Sequence, residues 1–216
     1  MRHLFDGDST LVRVLNKMAD LCFLNLAAFL FCLPVVTAGA SFAAMHYVII
    51  EMHDDLEGSV LRQFFKEFRR NLKGATPSWL IIVVLGAALV FDFRYAGRYL
   101  PGPVILWFSV FIALSAMLIF CFLYIFPLHA WYENTLSGTW KNAALLSVAY
   151  LPRTVGMLLI DASIILFLTQ FLPLLPLFFL FGFSVPAYLR AYLYIPVLKS
   201  IKGSGGKDKF DETDGE

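Results

Sequence analysis

Six long apolar runs alternate with short polar segments along the chain. They cover residues 18–36, 39–53, 75–92, 104–127, 154–172 and 174–197. Runs of about 18 or more apolar residues are typical of helices that cross the hydrocarbon core of a bilayer. The pattern predicts an all-α, polytopic transmembrane helical bundle of six helices. We assign residues 1–198 to this single transmembrane helical domain.

The second run, residues 39–53, is shorter than a standard membrane span and contains His46. It can form a short span, or it can lie in the membrane interface as an amphipathic segment, which leaves five spans. The distribution of basic residues discriminates between these interpretations, because Lys and Arg are enriched on the cytoplasmic side of membrane proteins.

Basic residues are divided very unevenly when all six runs span. Of the 17 basic residues, all but three then lie on the side that holds both termini. Arg94 and Arg98 lie on the opposite side, and Arg190 lies within the last run. With only five spans, Lys and Arg are divided much more evenly. We therefore expect six spans and two cytoplasmic termini.

The N-terminal region has one competing interpretation. The small residues at positions 38–40 resemble a signal-peptide cleavage site after an apolar stretch. The stretch that precedes the apolar core is long, however, and it carries Asp6, Asp8 and Asp20. We therefore expect an uncleaved segment that begins in the cytoplasm.

Residues 59–73 form the clearest amphipathic pattern in the sequence. Its apolar residues recur at helical spacing: Val60, Leu61, Phe64, Phe65, Phe68 and Leu72. Its basic residues occupy most of the remaining positions: Arg62, Lys66, Arg69, Arg70 and Lys73. We predict a cytoplasmic helix, either lying among anionic lipid head groups or docking a protein partner.

Composition agrees with a membrane protein and limits the remaining function classes. Hydrophobic residues make up 59% of the chain and charged residues 15%, with a mean hydropathy of +0.73. Soluble domains are less apolar and carry more charge, so we expect no nucleic-acid partner. Residues 199–216 are rich in glycine and in both charge signs, which predicts a disordered cytoplasmic tail.

Sequence motifs for known catalytic and cofactor sites are absent. The chain has no phosphate-binding G-x-x-x-x-G-K-[ST] loop, no C-x-x-C pair, no H-E-x-x-H zinc helix and no G-x-S-x-G nucleophile elbow. Its three cysteines all lie in apolar runs, which is untypical of a disulfide framework or a metal cluster. We expect a protein without catalytic activity, cofactor or metal.

Charged residues at membrane depth are the first functional candidates, because their burial is costly. Asp161 lies nine residues after Pro152, and Arg190 lies six residues before Pro196. At 1.5 Å per residue, these separations place them roughly 13 Å and 9 Å from the same face. The two can form an ion pair that holds helices together, Arg190 can extend to the head groups, or Asp161 can serve a solute or proton path.

His46 and His129 are the second pair of intramembrane candidates. Each lies shortly before an acid, Glu51 and Glu133 respectively, on a helix predicted to run from the outside to the inside. They can contribute to a proton relay or a ligand site. Alternatively, His46 bonds to a neighbouring helix, and Glu51 marks the cytoplasmic exit. Other polar residues in the runs, including Asn25, are expected to form helix contacts.

Four sequence blocks resemble the YesL family of bacterial membrane proteins. They are LNLAAFLFCLPVVTAGASFAAMHYV at 24–48, FFKEFRRNLKGA at 64–75, YENTLSGTWKNAALL at 132–146 and LPRTVGMLLI at 151–160. The resemblance extends over nearly all of the chain up to residue 198. It implies a multi-pass protein of the bacterial cell membrane in the context of carbohydrate uptake. The family has no established catalytic or binding residues that could be assigned to positions of this chain.

Two functions follow from these observations. The first is an accessory or regulatory membrane component linked to a carbohydrate ABC importer, a context implied by the resemblance, with the basic helix at 59–73 as a docking surface. The second is an autonomous transporter or channel for a small solute that uses the intramembrane candidates Asp161, Arg190, His46 and His129. A homo-oligomer is compatible with either function.

Overall fold

The computed structural model describes residues 10–54, 58–99, 104–170, 175–201 and 207–208. Its α-helices are α1 (Thr10–Cys32), α2 (Ala38–His53), α3 (Val60–Asn71), α4 (Ala75–Tyr99), α5 (Val104–Trp131), α6 (Leu136–Ala149), α7 (Leu151–Gln170), α8 (Leu175–Phe181) and α9 (Ser184–Ser200). A short 3-10 helix, Val35–Thr37, precedes α2. Two-residue strands are β1 (Tyr132–Glu133) and β2 (Lys207–Asp208).

Several of these helices are long and apolar enough to cross a membrane. In the described part of the chain they are Leu11–Cys32, Val35–His53, Ala75–Tyr95 and Trp107–Trp131. Helices α6 and α7 meet at an angle of 94° and provide a fifth span if they are counted as one broken span. The predicted all-α polytopic bundle is thereby confirmed. The number of six spans and the side of the termini stay predictions.

Helix α2 lies at the centre of the bundle. It contacts α1, α3, α4, α5 and α9, and every residue from Ala38 to Met52 except Phe42 is buried. A helix that lies in the membrane interface would instead expose one face to water. This burial favours a spanning helix for the run at 39–53.

A hydrogen-bonded turn connects α1 to α2. The hydroxyl of Thr37 donates to the carbonyl oxygens of Phe31 at 2.8 Å and Pro34 at 2.9 Å. The indole of Trp79 in α4 donates to the carbonyl oxygen of Val35 at 2.7 Å. Because Pro34 ends the helix, these bonds satisfy backbone groups that lose their helical partners.

The last apolar run does not form one continuous helix. Helix α8 ends at Phe181 and α9 begins at Ser184. At the break, a Cβ atom on Gly182 would overlap the ring and the carbonyl oxygen of Phe178, so the close turn requires glycine. Pro196, by contrast, lies inside α9.

The amphipathic helix at 59–73 is present as α3, but its apolar side faces protein. Phe64 and Phe68 are buried, and their ring centroids lie 6.0 Å and 4.6 Å from that of Phe31 in α1. Leu61 and Phe65 keep substantial exposure. The helix therefore packs onto α1 and α2 rather than inserting its whole apolar side into lipid.

Two short parts of segment 199–216, for which the sequence predicts disorder, have secondary structure. Helix α9 continues to Ser200, and strand β2 pairs antiparallel with β1, with Tyr132 opposite Asp208. Backbone hydrogen bonding can order polar residues that bury little apolar surface. The rest of that segment, apart from Ile201, lies outside the described residues.

Close packing at Gly39 generates a testable prediction. A Cβ atom there would lie 2.5 Å from both the Ala75 carbonyl oxygen and the Trp79 Cβ atom. We expect Gly39→Ala to lower the free energy of unfolding by about 1–3 kcal/mol, because α2 and α4 must separate. The measurement is the thermal unfolding midpoint of the purified protein in mild detergent.

Gly86→Ala is the matched control for this substitution. Gly86 also lies in a membrane-spanning helix, but nothing lies within 4 Å of the position of its Cβ atom. We expect no loss of stability there. Equal midpoints for the two variants would contradict the tight α2–α4 contact.

Candidate functional site

A cavity of about 260 Å³ opens between α2, α5, α7 and the α8–α9 region. Three of the four intramembrane candidates line it, namely His46, Asp161 and Arg190. Much of its remaining wall is aromatic and consists of Phe42, Phe122, Phe126, Phe178 and Phe183. A concave apolar site with a few convergent polar groups has the usual composition of a small-molecule site.

Asp161 and Arg190 form an ion pair across α7 and α9. The Nη1 atom of Arg190 donates to Oδ2 of Asp161 at 3.0 Å, and the two side chains are 13% and 27% exposed, respectively. The ion pair, one of the interpretations that their similar depths allow, is present in the structure. It neutralises two charges that are costly to bury singly in an apolar medium.

Arg190 is only partly satisfied by this pairing. Its Nε atom is buried and has no hydrogen-bond partner among the described residues. A guanidinium group carries five N–H donors, and its bond to Asp161 uses one of them. The cavity therefore contains hydrogen-bonding capacity beyond what the ion pair consumes.

His46 reaches the same site from α2. Its Nδ1 atom lies 3.0 Å from the hydroxyl oxygen of Tyr194, which is fully buried. Tyr194 follows Arg190 by one helical turn, so both lie on the same side of α9. Tyr194 was not among the candidates predicted from the sequence, although its spacing of four residues from Arg190 is the signal that could have identified it.

His129 lies in a different part of the bundle. Its Nε2 atom is 2.8 Å from the Ser78 hydroxyl oxygen in α4, and it is absent from the cavity lining. Of the two histidine candidates, only His46 thus joins Asp161 and Arg190. Through this bond His129 connects α5 to α4.

Asn25 of α1 organises the backbone beside the cavity. Its Nδ2 atom donates to the Phe179 carbonyl oxygen at 2.8 Å, and its Oδ1 atom accepts from the amides of Phe183 at 2.7 Å and Ser184 at 3.0 Å. One side chain therefore satisfies groups on both sides of the α8–α9 break. Polar side chains of neighbouring helices commonly fulfil this role where a membrane helix is interrupted.

The basic residues of α3 fall into two groups, those exposed at the surface and one that bonds to other parts of the bundle. Arg62, Lys66, Arg69 and Lys73 are exposed. Arg70 instead bonds Glu133 through Nη2 at 2.6 Å and contacts the buried Glu67 at 3.5 Å. Arg70 was expected on the docking surface with the others, but its bond to Glu133 ties α3 to β1, which directly follows α5.

Metal-binding side chains do not converge in the described part of the chain. No three His, Cys, Asp or Glu residues there lie close enough to share an ion. Cys22, Cys32 and Cys121 are free thiols.

The fold and the cavity together define a helical membrane protein. Residues 20–93 match a family described as "Protein of unknown function, DUF624". This match covers most of α1 through most of α4, so it includes His46 but neither Asp161 nor Arg190. It is thus evidence about the first part of the bundle.

One relative is the "Uncharacterized protein YteU" of Bacillus subtilis (strain 168). It is 27% identical over 154 residues, which cover 68% of this chain and 65% of that protein. The chain thus spans about two thirds of the relative's length. No solved structure shows a significant match.

The ion pair predicts strong coupling between Asp161 and Arg190. We expect Asp161→Ala and Arg190→Ala each to lower stability by on the order of 2 kcal/mol, because each leaves an uncompensated charge in an apolar site. The double variant should be more stable than either single variant. Reversible unfolding of all four proteins in detergent measures this coupling.

Asp54 and Lys199 provide the matched control pair. Their 2.7 Å contact is largely exposed, so solvent screens it and we expect almost no coupling between Asp54→Ala and Lys199→Ala. Simple additivity at Asp161 and Arg190 would contradict a structural ion pair.

Proposed function

We propose that this protein binds a small polar solute in the cavity and carries it through the membrane, without catalytic activity of its own. The observation that carries the proposal is the convergence of His46, Asp161 and Arg190 in one cavity beside a broken helix. Intramembrane ionisable residues commonly belong to solute or ion pathways. Discontinuous helices are a recurrent feature of transporter binding sites.

The cavity favours a solute that both donates and accepts hydrogen bonds. Asp161 offers acceptors, whereas Arg190 offers donors. Nδ1 of His46 is hydrogen-bonded to Tyr194. In a neutral imidazole one ring nitrogen donates and the other accepts, so Nε2 offers the solute the role that Nδ1 does not take. A solute between these groups can bridge them without breaking the ion pair.

The charge balance favours a solute with no net charge. The Asp161–Arg190 pair is neutral, and a net charge added beside it would have to be desolvated in an apolar surrounding. The aromatic wall favours a solute with an apolar face. A monosaccharide meets these requirements and agrees with the carbohydrate-uptake context of the YesL family, to which we assign the chain.

We test this function by binding in lipid nanodiscs. The probes are radiolabelled D-glucose, D-xylose and L-rhamnose, with L-alanine as a zwitterion of small size. We expect saturable binding of at least one monosaccharide, and at least about tenfold weaker binding in Asp161→Asn, because that substitution removes the charge-assisted acceptor. Uptake into proteoliposomes by the two proteins then measures transport.

Asp92→Asn is the matched control, since Asp92 lies in α4 and is exposed. It should bind and transport as the unmodified protein does. The cavity hypothesis fails if none of the probes binds, or if Asp161→Asn binds equally well when inserted in normal amounts.

We propose an importer-associated role as the second candidate. The observation that favours it is the exposed basic side of α3, whose apolar side is occupied within the bundle. In this role the protein is an accessory component of a carbohydrate ABC importer in the bacterial cell membrane. Six spans and two cytoplasmic termini, which we also propose, would present this basic side to the cytoplasm.

This role predicts that charge reversal on α3 releases a partner. We expect the amount of importer ATPase or permease bound to the combined Arg62→Glu, Lys66→Glu and Arg69→Glu variant to fall at least about tenfold. The reason is that each basic residue contributes about 1 kcal/mol to binding near an anionic surface. Native mass spectrometry of the protein extracted from its own membrane measures the bound partner.

Lys141→Glu is the control, because Lys141 is exposed on α6 and lies outside the α3 surface. It should leave the amount of partner unchanged. If unmodified protein is extracted without an importer subunit, or if the α3 variant retains it fully, the importer-associated role is wrong.

A further inference from the structure

The α8–α9 break is fastened to α1 through one side chain. Asn25 bonds the carbonyl oxygen of Phe179 on one side of the break and the amides of Phe183 and Ser184 on the other side. Asn25 is fully buried. These three bonds restrain both ends of the turn that joins α8 to α9.

The restrained turn is also part of the cavity wall. Phe178, Gly182 and Phe183 line the cavity, and each lies within one residue of a backbone group that Asn25 binds. Phe29, four residues after Asn25, contacts Phe179 with a ring separation of 5.2 Å. The position of the aromatic wall therefore depends on α1.

Among the described residues, helix α8 is a short element that packs mainly on α1. Its main packing partner is α1, and it contains only seven residues. Short elements with few packed neighbours open at lower free-energy cost than the core of a protein.

We propose that Asn25 is a positioning residue that keeps Phe178 and Phe183 closed over the cavity, and that release of Asn25 opens the entrance for the solute. This inference rests on the proposed solute-binding function. Opening moves the α8–α9 turn away from α1, while the Asp161–Arg190 pair and the α2 core stay in place. Lid movements of this kind control access to many binding sites.

The test compares Asn25→Leu with unmodified protein in nanodiscs without any solute. Leucine has a similar size but makes no hydrogen bonds. We expect the amides of Phe183 and Ser184 to exchange hydrogen at least roughly tenfold faster in Asn25→Leu. Amides of α2 should keep their protection, whereas general destabilisation would expose both regions.

A chemical probe then reports access to the wall. Phe178→Cys is introduced after Cys22, Cys32 and Cys121 are replaced by alanine, and its reaction with N-ethylmaleimide is timed. We expect about tenfold faster labelling when Asn25→Leu is added. Asn25→Ser, whose shorter side chain cannot reach both sides of the break, should act in the same direction and replaces the leucine variant if that variant fails to insert.

Ser41→Ala is the matched control. Ser41 is also buried and donates to a backbone carbonyl, that of Ala28, at 3.0 Å, but it does not line the cavity. It should change neither exchange at the break nor labelling at position 178. Unchanged labelling in both Asn25 variants, or equal acceleration by Ser41→Ala, would overturn the proposal.

The solute experiment distinguishes the two levels of inference. Exchange and labelling contain no solute, so they report the entrance even if no probe binds. One outcome separates the two proposals: the unmodified protein binds D-xylose, D-glucose or L-rhamnose, this binding is weakened by Asp161→Asn, and the Asn25 variants leave labelling unchanged. In that case the solute-binding function is supported and the role of Asn25 at the entrance is wrong.

Discussion

Close helix approach at α2 is the constraint on which the remaining contacts depend. The first turns of this helix carry mainly glycine, alanine and serine, and Gly39 lies directly against the backbone of α4. Small residues allow membrane helices to pack closely where lipid supplies no hydrophobic force between them. Because α2 contacts five other helices, a change in its position would displace both the cavity and the polar contacts around it.

Polar side chains then select one arrangement of the packed helices. Asp161 reaches Arg190, His46 reaches Tyr194, and Asn25 reaches the α8–α9 break. An apolar medium penalises each of these groups when it lacks a partner, so alternative packings of equally apolar helices are disfavoured. Asp161, Arg190 and His46 converge on one cavity, which connects the specificity of the fold to the candidate site.

Helix α3 shows how one amphipathic pattern serves two surfaces. Phe64 and Phe68 fill space beside α1, and Arg70 joins α3 to Glu133. Other basic residues of the helix stay exposed and are available to lipid head groups or a partner. The structural and the external roles of α3 are therefore carried by different residues, and charge changes at the exposed positions need not disturb the bundle.

The lengths of the apolar runs were enough to predict a helical membrane protein. They also located α2 and the start of α4 within about one residue. This was possible because the thickness of the bilayer sets the required length of each spanning segment independently of the other segments. The similar depths of Asp161 and Arg190 also indicated an ion pair as one of their possible roles. Tertiary structure decided that His46 and not His129 lies in the cavity with this pair. It also decided that Asn25 holds a break more than 150 residues away, and that Phe64 and Phe68 of α3 are buried against protein. These outcomes depend on which helices are neighbours. The sequence alone does not reveal this, because a helix face that contacts lipid and a helix face that contacts protein are both made of apolar residues.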